Sequence, residues 1–172
     1  TFPTELPVKH RAEVLVVGGG PGGIGAAVAA AREGRDVLLV EHYGFLGGMA
    51  TAGEVHPFMP NQLSGRSLDE GVFTDWFAKI RELGGAMDTA AGWPGNLGFD
   101  ANIARFAAED LCAEAGVRLL FHHRPVHVEK EGRNVAAVVL HSKSGLTVAE
   151  AKVYVDSTGD GDLAALAGCE FE

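Results

Sequence analysis

The chain has 172 residues, of which 47 % are hydrophobic and 22 % are charged, a balance typical of one globular domain with a buried core. Its net charge of −9 disfavours nucleic acid as the main partner, because phosphate binding needs basic patches. No apolar run approaches the roughly 18 residues of a membrane span, and residues 1–11 lack the apolar core of a signal peptide. We therefore expect a cytoplasmic protein that acts on a small-molecule substrate and has neither a nucleic-acid nor a membrane partner.

The cysteines and histidines predict neither a disulfide nor a metal site. Cys112 and Cys169 lie far apart and form no C-x-x-C pair, so we expect two reduced thiols. His122, His123 and His127 fall in and beside one expected strand. Their neighbours supply no second group of ligands at the spacing that zinc requires.

Residues 13–41 predict a strand–helix–strand unit. Residues 13–17 read E-V-L-V-V, an apolar run too short for a helix and followed at once by glycine, as in a buried parallel strand. The alanine-rich residues 22–33 predict a helix that ends at Gly34. Residues 36–41, D-V-L-L-V-E, predict a second buried strand. Together these elements form one βαβ unit.

Two helices are expected in the middle of the chain. The S-x-x-E pattern of residues 67–70 is a capping box. It predicts a helix whose apolar face belongs to the core and consists of Val72, Phe73, Trp76, Phe77, Ile80 and Leu83. Asp100 is expected to cap the next helix, whose apolar residues are Ile103, Phe106, Ala107 and Leu111. Residues 93–96, W-P-G-N, are expected to form a loop.

The last third of the chain returns to strands. Residues 117–121 predict one strand, and residues 126–130, 135–141 and 146–155 predict a meander whose turns contain glycine. A short alanine-rich helix follows. The fold class is therefore α/β, a Rossmann-like FAD/NAD(P)-binding domain in which a parallel sheet carries the βαβ unit and a β-meander. We expect one domain over residues 1–172, with a helical excursion inserted at about 54–98.

Residues 18–23, G-G-G-P-G-G, match the pattern G-x-G-x-x-G, and their position between a strand and a helix makes that pattern specific. Gly18 is expected to allow the tight turn, Gly20 to let a pyrophosphate approach the backbone, and Gly23 to let helix and strand pack closely. Pro21 suits the first helical turn, whose free N–H groups favour an anion. Glu41 ends the second strand and would accept hydrogen bonds from both ribose hydroxyls, and we expect it to lie outside the core.

The motif indicates a dinucleotide without saying which one. A nicotinamide-dependent dehydrogenase would usually continue with alternating helices and strands, whereas residues 47–53 here read G-G-M-A-T-A-G and a meander follows. Residues 157–164 read S-T-G-D-G-D-L-A, with Ser157 where alanine is more usual. At these residues the sequence resembles the FAD-dependent oxidoreductases of the glutathione-reductase and fumarate-reductase structural type. The resemblance covers nearly the whole chain and implies FAD as the cofactor, with redox chemistry by hydride transfer.

The resemblance also implies a set of contacts to the cofactor. The pyrophosphate would be lined by Gly18, Gly20, Pro21, Gly22 and Gly23. The adenosine ribose would be held by Glu41, with His42 beside it. The pyrophosphate, ribityl chain and flavin would run along Gly47, Gly48, Met49 and Thr51. Adenine would meet the backbone of Val126, and the diphosphate region would be reached again by Thr158, Gly159 and Asp160.

Simpler interpretations of some of these residues stay open. Val126 would also suit a strand core, and the glycines at 47–48 would suit an ordinary loop. Asp160 and Asp162 would suit helix N-caps. His56 follows the expected flavin loop, and we interpret it as a structural or surface histidine rather than a catalytic one. No catalytic residue is assigned.

Enzymes of this type usually add a substrate domain and a C-terminal segment that closes over the flavin. We therefore expect this chain to be an incomplete FAD-binding domain whose exposed apolar surface is covered by a missing C-terminal part or within a homo-oligomer. Two alternatives remain: an NAD-linked dehydrogenase, and a non-catalytic dinucleotide-binding module that needs a missing segment or a partner.

Overall fold

A computed structural model describes residues 6–59, 62–63, 66–67, 70–87 and 98–170. The N-terminal half contains β1 (Val8–Val17), α1 (Pro21–Arg32), β2 (Val37–Val40), a 3-10 turn (Gly48–Ala50), β3 (Gln62–Leu63), β4 (Arg66–Ser67) and α2 (Val72–Glu82). The C-terminal half contains β5 (Ala86–Met87), β6 (Gly98–Phe99), α3 (Ala101–Glu114), β7 (Arg118–Leu120), β8 (Arg124–Glu131), β9 (Asn134–Ser142), β10 (Gly145–Asp156) and α4 (Asp162–Leu166).

The main sheet has six strands in the order β7-β2-β1-β10-β9-β8. The first four strands are parallel, and β8, β9 and the start of β10 form an antiparallel meander. Strand β10 has 12 residues, so its beginning pairs with β9 while its continuation pairs with β1. The predicted α/β fold, with its βαβ unit and meander, is confirmed.

Strand β2 shows why the apolar runs in the sequence are continuous. Its four residues are all buried and alternate between two cores. Val37 and Leu39 belong to the core under the helices, whereas Leu38 and Val40 belong to the core under the meander and α4. A strand that is covered on both faces needs an apolar side chain at every position. The parallel sheet is therefore the middle one of three layers.

The helical layer packs closely because its contact surfaces are largely alanine. Ala27 of α1 and Ala104 and Ala107 of α3 have no exposed surface. Trp76 of α2 is 2 % exposed, and its indole Nε1 donates to the Ala104 carbonyl at 3.0 Å. The interpretation of Trp76 and Phe77 as core residues is confirmed, since both are buried in this layer.

The predicted capping box at residues 67–70 is wrong. Helix α2 begins at Val72 after Gly71, which has φ 70° and provides no side-chain cap. Ser67 lies in β4 instead, and residues 68–69 lie outside the described part of the chain, as does the predicted loop at 93–96. The positive φ of Gly71 turns the chain into the helix at a later residue than the S-x-x-E pattern suggests.

Helix α3 confirms the predicted cap. Asp100 caps the helix, because its side chain accepts hydrogen bonds from the amides of Asn102 and Ile103. Phe106, however, is 61 % exposed, since the helix turns its alanines toward the core. Among the described residues, no helix is both long and apolar enough to cross a membrane.

The two free thiols should differ strongly in reactivity. Burial, with a smaller contribution from Glu109, raises the pKa of Cys112 to about 12, whereas Cys169 is exposed. A buried thiol with that pKa stays protonated at about pH 8 and reacts slowly with disulfide reagents. We expect an aromatic disulfide reagent to modify Cys169 quickly in the folded protein and Cys112 only after denaturation. Fast modification of Cys112 in a folded Cys169→Ser variant would contradict this assignment.

Candidate cofactor site

The carboxyl ends of β1, β2 and β10 lie side by side, and backbone hydrogen bonds join the loops that follow them. The amide of Gly18 donates to the carbonyl of Val40 at 2.8 Å. The amide of Ser157 donates to the last carbonyl of β1 at 2.8 Å, and the amide of Gly47 donates to the carbonyl of Gly19 at 2.8 Å. The structure thus brings together the glycine turn, the loop after β2 and the segment after β10, which the sequence assigned to one ligand.

The three motif glycines have different surroundings. Gly18 has φ +101°, and a Cβ there would collide with the carbonyl of Ser157. A Cβ at Gly23 would collide with the carbonyl of Gly18, so both glycines are required by packing within the protein. At Gly20 the nearest atom to such a Cβ is Cα of Gly48, at 3.9 Å. Gly20 is therefore the motif glycine that leaves open space above the turn.

Helix α1 presents an uncapped N-terminus at this turn. Its N-cap, Gly20, has no side chain to bond the first amides. The amide of Ile24 makes the first intrahelical hydrogen bond, to the carbonyl of Gly20 at 2.9 Å. Pro21 has no N–H, and the amides of Gly22 and Gly23 precede the first acceptor that the helix can offer. Free amides and the helix dipole together favour a bound anion at this point.

The loop after β2 packs directly on the turn through two glycines. Gly47 and Gly48 have φ values of +110° and +50°, which favour glycine. A Cβ at Gly48 would lie 2.8 Å from Cα of Gly20, so the two backbones are in contact. Met49 follows with its side chain 63 % exposed. The positions of Gly47, Gly48 and Met49 are compatible with a ligand that lies along the turn.

Thr51 and Arg105 support this loop from the protein side. Thr51 has no exposed surface, and its Oγ1 donates to the carbonyl of Leu46 at 2.7 Å. The Thr51 side chain therefore helps to shape the loop, and the contact of this residue with the cofactor stays a prediction. The Arg105 guanidinium lies 3.9 Å over the ring of Phe45, and its Nη2 donates to the carbonyl of Thr51 at 3.2 Å.

Glu41 is 4 % exposed, so the expectation that it lies outside the core is wrong. Its Oε2 accepts a hydrogen bond from the amide of Gly19 at 2.6 Å. Its Oε1 accepts one from the amide of Tyr43 at 2.7 Å and lies 2.8 Å from Nδ1 of His42, whose side chain is 56 % exposed. A carboxylate offers about four acceptor positions, so Oε2 keeps one for a ribose hydroxyl. The carboxylate thus joins the turn to the loop and still has capacity for a ligand.

The segment after β10 is organised by Asp156 and Thr158. Oδ1 of Asp156 accepts from the amide and the hydroxyl of Thr158 at 3.1 and 2.8 Å. Its Oδ2 accepts from the amide of Ala164 at 2.8 Å, and Thr158 Oγ1 accepts from the amide of Asp162 at 2.8 Å. The N-capping role considered for Asp160 and Asp162 is therefore filled by Thr158 and Asp156.

The other residues predicted on this segment lie at its surface. Gly159 and Asp160 are both exposed, and Gly159 has φ +93°. The preceding Thr158 contacts the glycine turn, since a Cβ at Gly18 would lie 2.8 Å from its Cα. The turn at 158–160 therefore adjoins the start of the motif, and its contact with a diphosphate stays a prediction.

Val126 lies in β8 at an irregularity of the strand. The register to β9 shifts between Pro125 and His127, and the side chain of Val126 is 38 % exposed. The interpretation of Val126 as a core residue is therefore wrong. Just before the strand, the amide of His123 donates to the carbonyl of Glu41 at 3.0 Å, which ties this chain segment to the ribose side of the site. The adenine contact of Val126 stays a prediction.

Sequence reasoning missed two residues that build the site, Gly19 and Asp156. A Cβ at Gly19 would lie 2.9 Å from Oε2 of Glu41, so the middle glycine leaves room for that carboxylate. Asp156 directly follows the predicted strand 146–155, and the pairing of β10 with β1 places it beside the glycine turn.

His56 lies apart from the glycine turn. Its Nε2 accepts a hydrogen bond from the amide of Phe99 at 2.9 Å, and the two rings lie 5.1 Å apart. These contacts support the structural interpretation of this histidine. In the residues that the structure covers, no cluster of three or more His, Cys, Asp or Glu side chains suits a metal ion.

Known proteins resemble this chain in sequence. Residues 13–172 match the family described as FAD dependent oxidoreductase. The menaquinone reductase of Mycobacterium tuberculosis is 30 % identical over 148 residues, which cover 78 % of this chain and 35 % of that protein. The cinnamate reductase of Clostridium sporogenes is 32 % identical over 104 residues, covering 60 % of this chain and 14 % of that protein. The chain thus spans a minor part of each relative's length.

Solved structures share the fold. A geranylgeranyl bacteriochlorophyll reductase-like protein from Thermoplasma acidophilum superposes with a TM-score of 0.65 and 22 % identity, covering 94 % of this chain and 43 % of that one. The L-proline dehydrogenase from P. horikoshii superposes with a TM-score of 0.64 and 18 % identity, covering 97 % of this chain and 58 % of that one. The family match extends from β1 through the glycine turn to the segment after β10. The chain therefore belongs to the family of FAD-dependent oxidoreductases, and its cofactor is FAD.

Proposed function

We propose that this chain holds the diphosphate and adenosine parts of FAD at the carboxyl edge of β1, β2 and β10, and that the whole protein transfers hydride between FAD and a small-molecule substrate. The observation that carries the proposal is the open space at Gly20. The turn is packed against protein atoms at Gly18 and Gly23, yet a Cβ at Gly20 would meet only Cα of Gly48, at 3.9 Å. A diphosphate placed there would contact the uncapped N-terminus of α1.

The other polar groups at this edge suit the rest of the nucleotide. Glu41 has acceptor capacity left on Oε2, which matches a ribose hydroxyl donor. Met49, which follows Gly48 in the same loop, is exposed and so available to a ligand. Bound FAD would supply the two-electron redox chemistry, while the residues of this chain bind and orient it.

The relatives support electron transfer to an organic substrate, since two of them are named menaquinone reductase and cinnamate reductase. The names of these relatives do not identify the substrate of this protein, because the chain spans only 35 % and 14 % of their lengths. A cytoplasmic location is part of the proposal and is supported by the negative charge and the two free thiols.

The chain should bind FAD without a covalent bond. No histidine or cysteine of the sequence sits at a recognisable flavin-attachment motif. We expect titration with FAD to quench flavin fluorescence to saturation, and acid precipitation of the complex to release all the yellow colour. NAD⁺ that displaces FAD at equal concentration, or colour that stays with the precipitate, would contradict the proposal.

Gly20 and Gly23 offer a matched pair of variants. Gly20→Ala places a methyl group where the diphosphate would lie, so we expect FAD affinity to fall by at least about tenfold with little loss of stability. Gly23→Ala drives a methyl group into the carbonyl of Gly18, so we expect the free energy of unfolding to fall by about 1–3 kcal/mol or more. Urea unfolding and FAD titration of both variants check this. Unchanged FAD affinity in folded Gly20→Ala would remove the diphosphate from this turn.

Replacing Glu41 should cost both stability and affinity. In Glu41→Ala the amides of Gly19 and Tyr43 lose their acceptor, and each buried unpaired amide costs about 1–3 kcal/mol of the free energy of unfolding. Glu41→Gln keeps one acceptor oxygen and the side-chain shape, so it should be the more stable of the two. We expect FAD binding to Glu41→Ala, which keeps no acceptor, to weaken by about 1.5–3 kcal/mol, the range for hydrogen bonds to a charged group. Wild-type FAD affinity in folded Glu41→Ala would exclude the ribose contact.

A further inference from the structure

A cavity of about 230 Å³ lies beside the loop that follows the glycine turn. It is lined by Ala50, Glu54, His56, Met87, Phe99 and Ala101. Ala50 is the last residue of the 3-10 turn that begins at Gly48, and Gly48 packs on Gly20. The cavity therefore borders the same loop against which we place FAD. Its volume lies below the roughly 300–1,000 Å³ of typical ligand pockets, which limits an occupant to a small molecule.

His56 lines this cavity, and one of its ring nitrogens already accepts a hydrogen bond. The backbone amide of Phe99 donates to its Nε2 at 2.9 Å, so that nitrogen must be unprotonated. In a neutral imidazole the proton then resides on Nδ1, which becomes a hydrogen-bond donor. The ring lies 5.1 Å from that of Phe99, which is 2 % exposed and fixes its position. The fold therefore selects the tautomer of a histidine that lines a cavity.

The charge of the cavity is the second constraint. Exposed Glu54 contributes a carboxylate, and among the described residues that line the cavity none is a lysine or an arginine. The remaining wall consists of alanine, methionine and phenylalanine side chains. An anionic occupant would therefore meet a like charge and no counter-charge, whereas an uncharged molecule with an apolar body would meet neither penalty.

We propose that this cavity is the substrate-side pocket of the enzyme, and that it accepts a small uncharged molecule with an apolar body and a hydrogen-bond acceptor, such as a carbonyl oxygen. Nδ1–H of His56 donates to that acceptor, and Glu54 excludes carboxylates of the same shape. The assignment as a substrate pocket rests on the proposed binding of FAD beside it, whereas its selectivity for uncharged molecules does not.

Benzamide and benzoate are suitable probes, because they share a shape and differ in charge. The chain has three methionines, so a sample labelled with ¹³C at the methionine methyls gives three signals, which single substitutions assign. Met87 lines the cavity, whereas exposed Met49 and Met59 do not. We expect benzamide to shift the Met87 signal to saturation, and benzoate to bind about fivefold more weakly, the upper range for the charge of an exposed carboxylate such as Glu54.

Two variants and a control separate the contributions. Glu54→Gln should bring the affinities for benzoate and benzamide to within about twofold of each other, while Glu33→Gln, the same change at the exposed end of α1, should leave their ratio unchanged. His56→Phe keeps an aromatic ring beside Phe99 and removes Nδ1–H, so benzamide binding should weaken by about fivefold. Equal binding of the two probes to the wild type, or no effect of Glu54→Gln, overturns the proposal.

The same spectra distinguish failure of this proposal from failure of the FAD site. FAD binding is followed separately by flavin fluorescence, and the benzamide titration is repeated on the FAD-saturated protein. Retention of the Met87 shift in the presence of FAD supports a pocket beside the flavin. Competition between FAD and benzamide at Met87 would assign the cavity to the flavin itself and overturn the proposal, while leaving the FAD site intact. If FAD does not bind but the Met87 signal still shifts in a charge-selective way, the proposed function and the substrate role are wrong. The selectivity of the cavity for uncharged molecules then still stands.

Discussion

The site depends on the close approach of three backbones at Gly18. Because this residue has no side chain and adopts φ +101°, the end of β1 can contact the carbonyl of Ser157 after β10 while its amide bonds to the end of β2. Any Cβ would separate the strands at the edge where their loops must meet. The carbonyl of Gly18 in turn packs against Gly23, which sets the entry of α1. The geometry of the glycine turn thus follows from contacts within the protein. Gly20 takes no part in these close contacts, so the space beside it stays open.

Glu41 connects the stability of this edge to its function. A carboxylate that is 4 % exposed needs hydrogen bonds, and here the amides of Gly19 and Tyr43 provide them. The Gly19 amide belongs to the glycine turn and the Tyr43 amide to the loop after β2. The carboxylate of Glu41 therefore holds the turn and the loop together. A ligand hydroxyl that adds a bond to Oε2 therefore binds an acceptor that is already oriented, which lowers the entropy lost on binding.

The sequence predicted the parts of this structure that follow from local pattern. The parallel strands, the glycine turn and the Asp100 cap all depend on neighbouring residues, and they appear where expected. The errors arise where tertiary contacts decide. The burial of Glu41 depends on backbone amides at residues 19 and 43, and the start of α2 depends on the φ of Gly71. Even the role of Asp156 required knowledge that β10 lies beside β1.

The loop of residues 42–56 borders both the glycine turn and the cavity. Near its middle, Gly48 contacts the glycine turn, while Ala50 and His56 line the cavity. A loop exposed on two sides would hold neither ligand well unless it were supported from within. That support comes from buried Thr51, whose hydroxyl bonds within the loop and whose carbonyl accepts from Arg105 of α3. Helix α3 also begins at the cavity wall, so it links the cofactor side of the loop to the cavity side. A rigid support of this kind would hold a substrate at a fixed distance from the flavin.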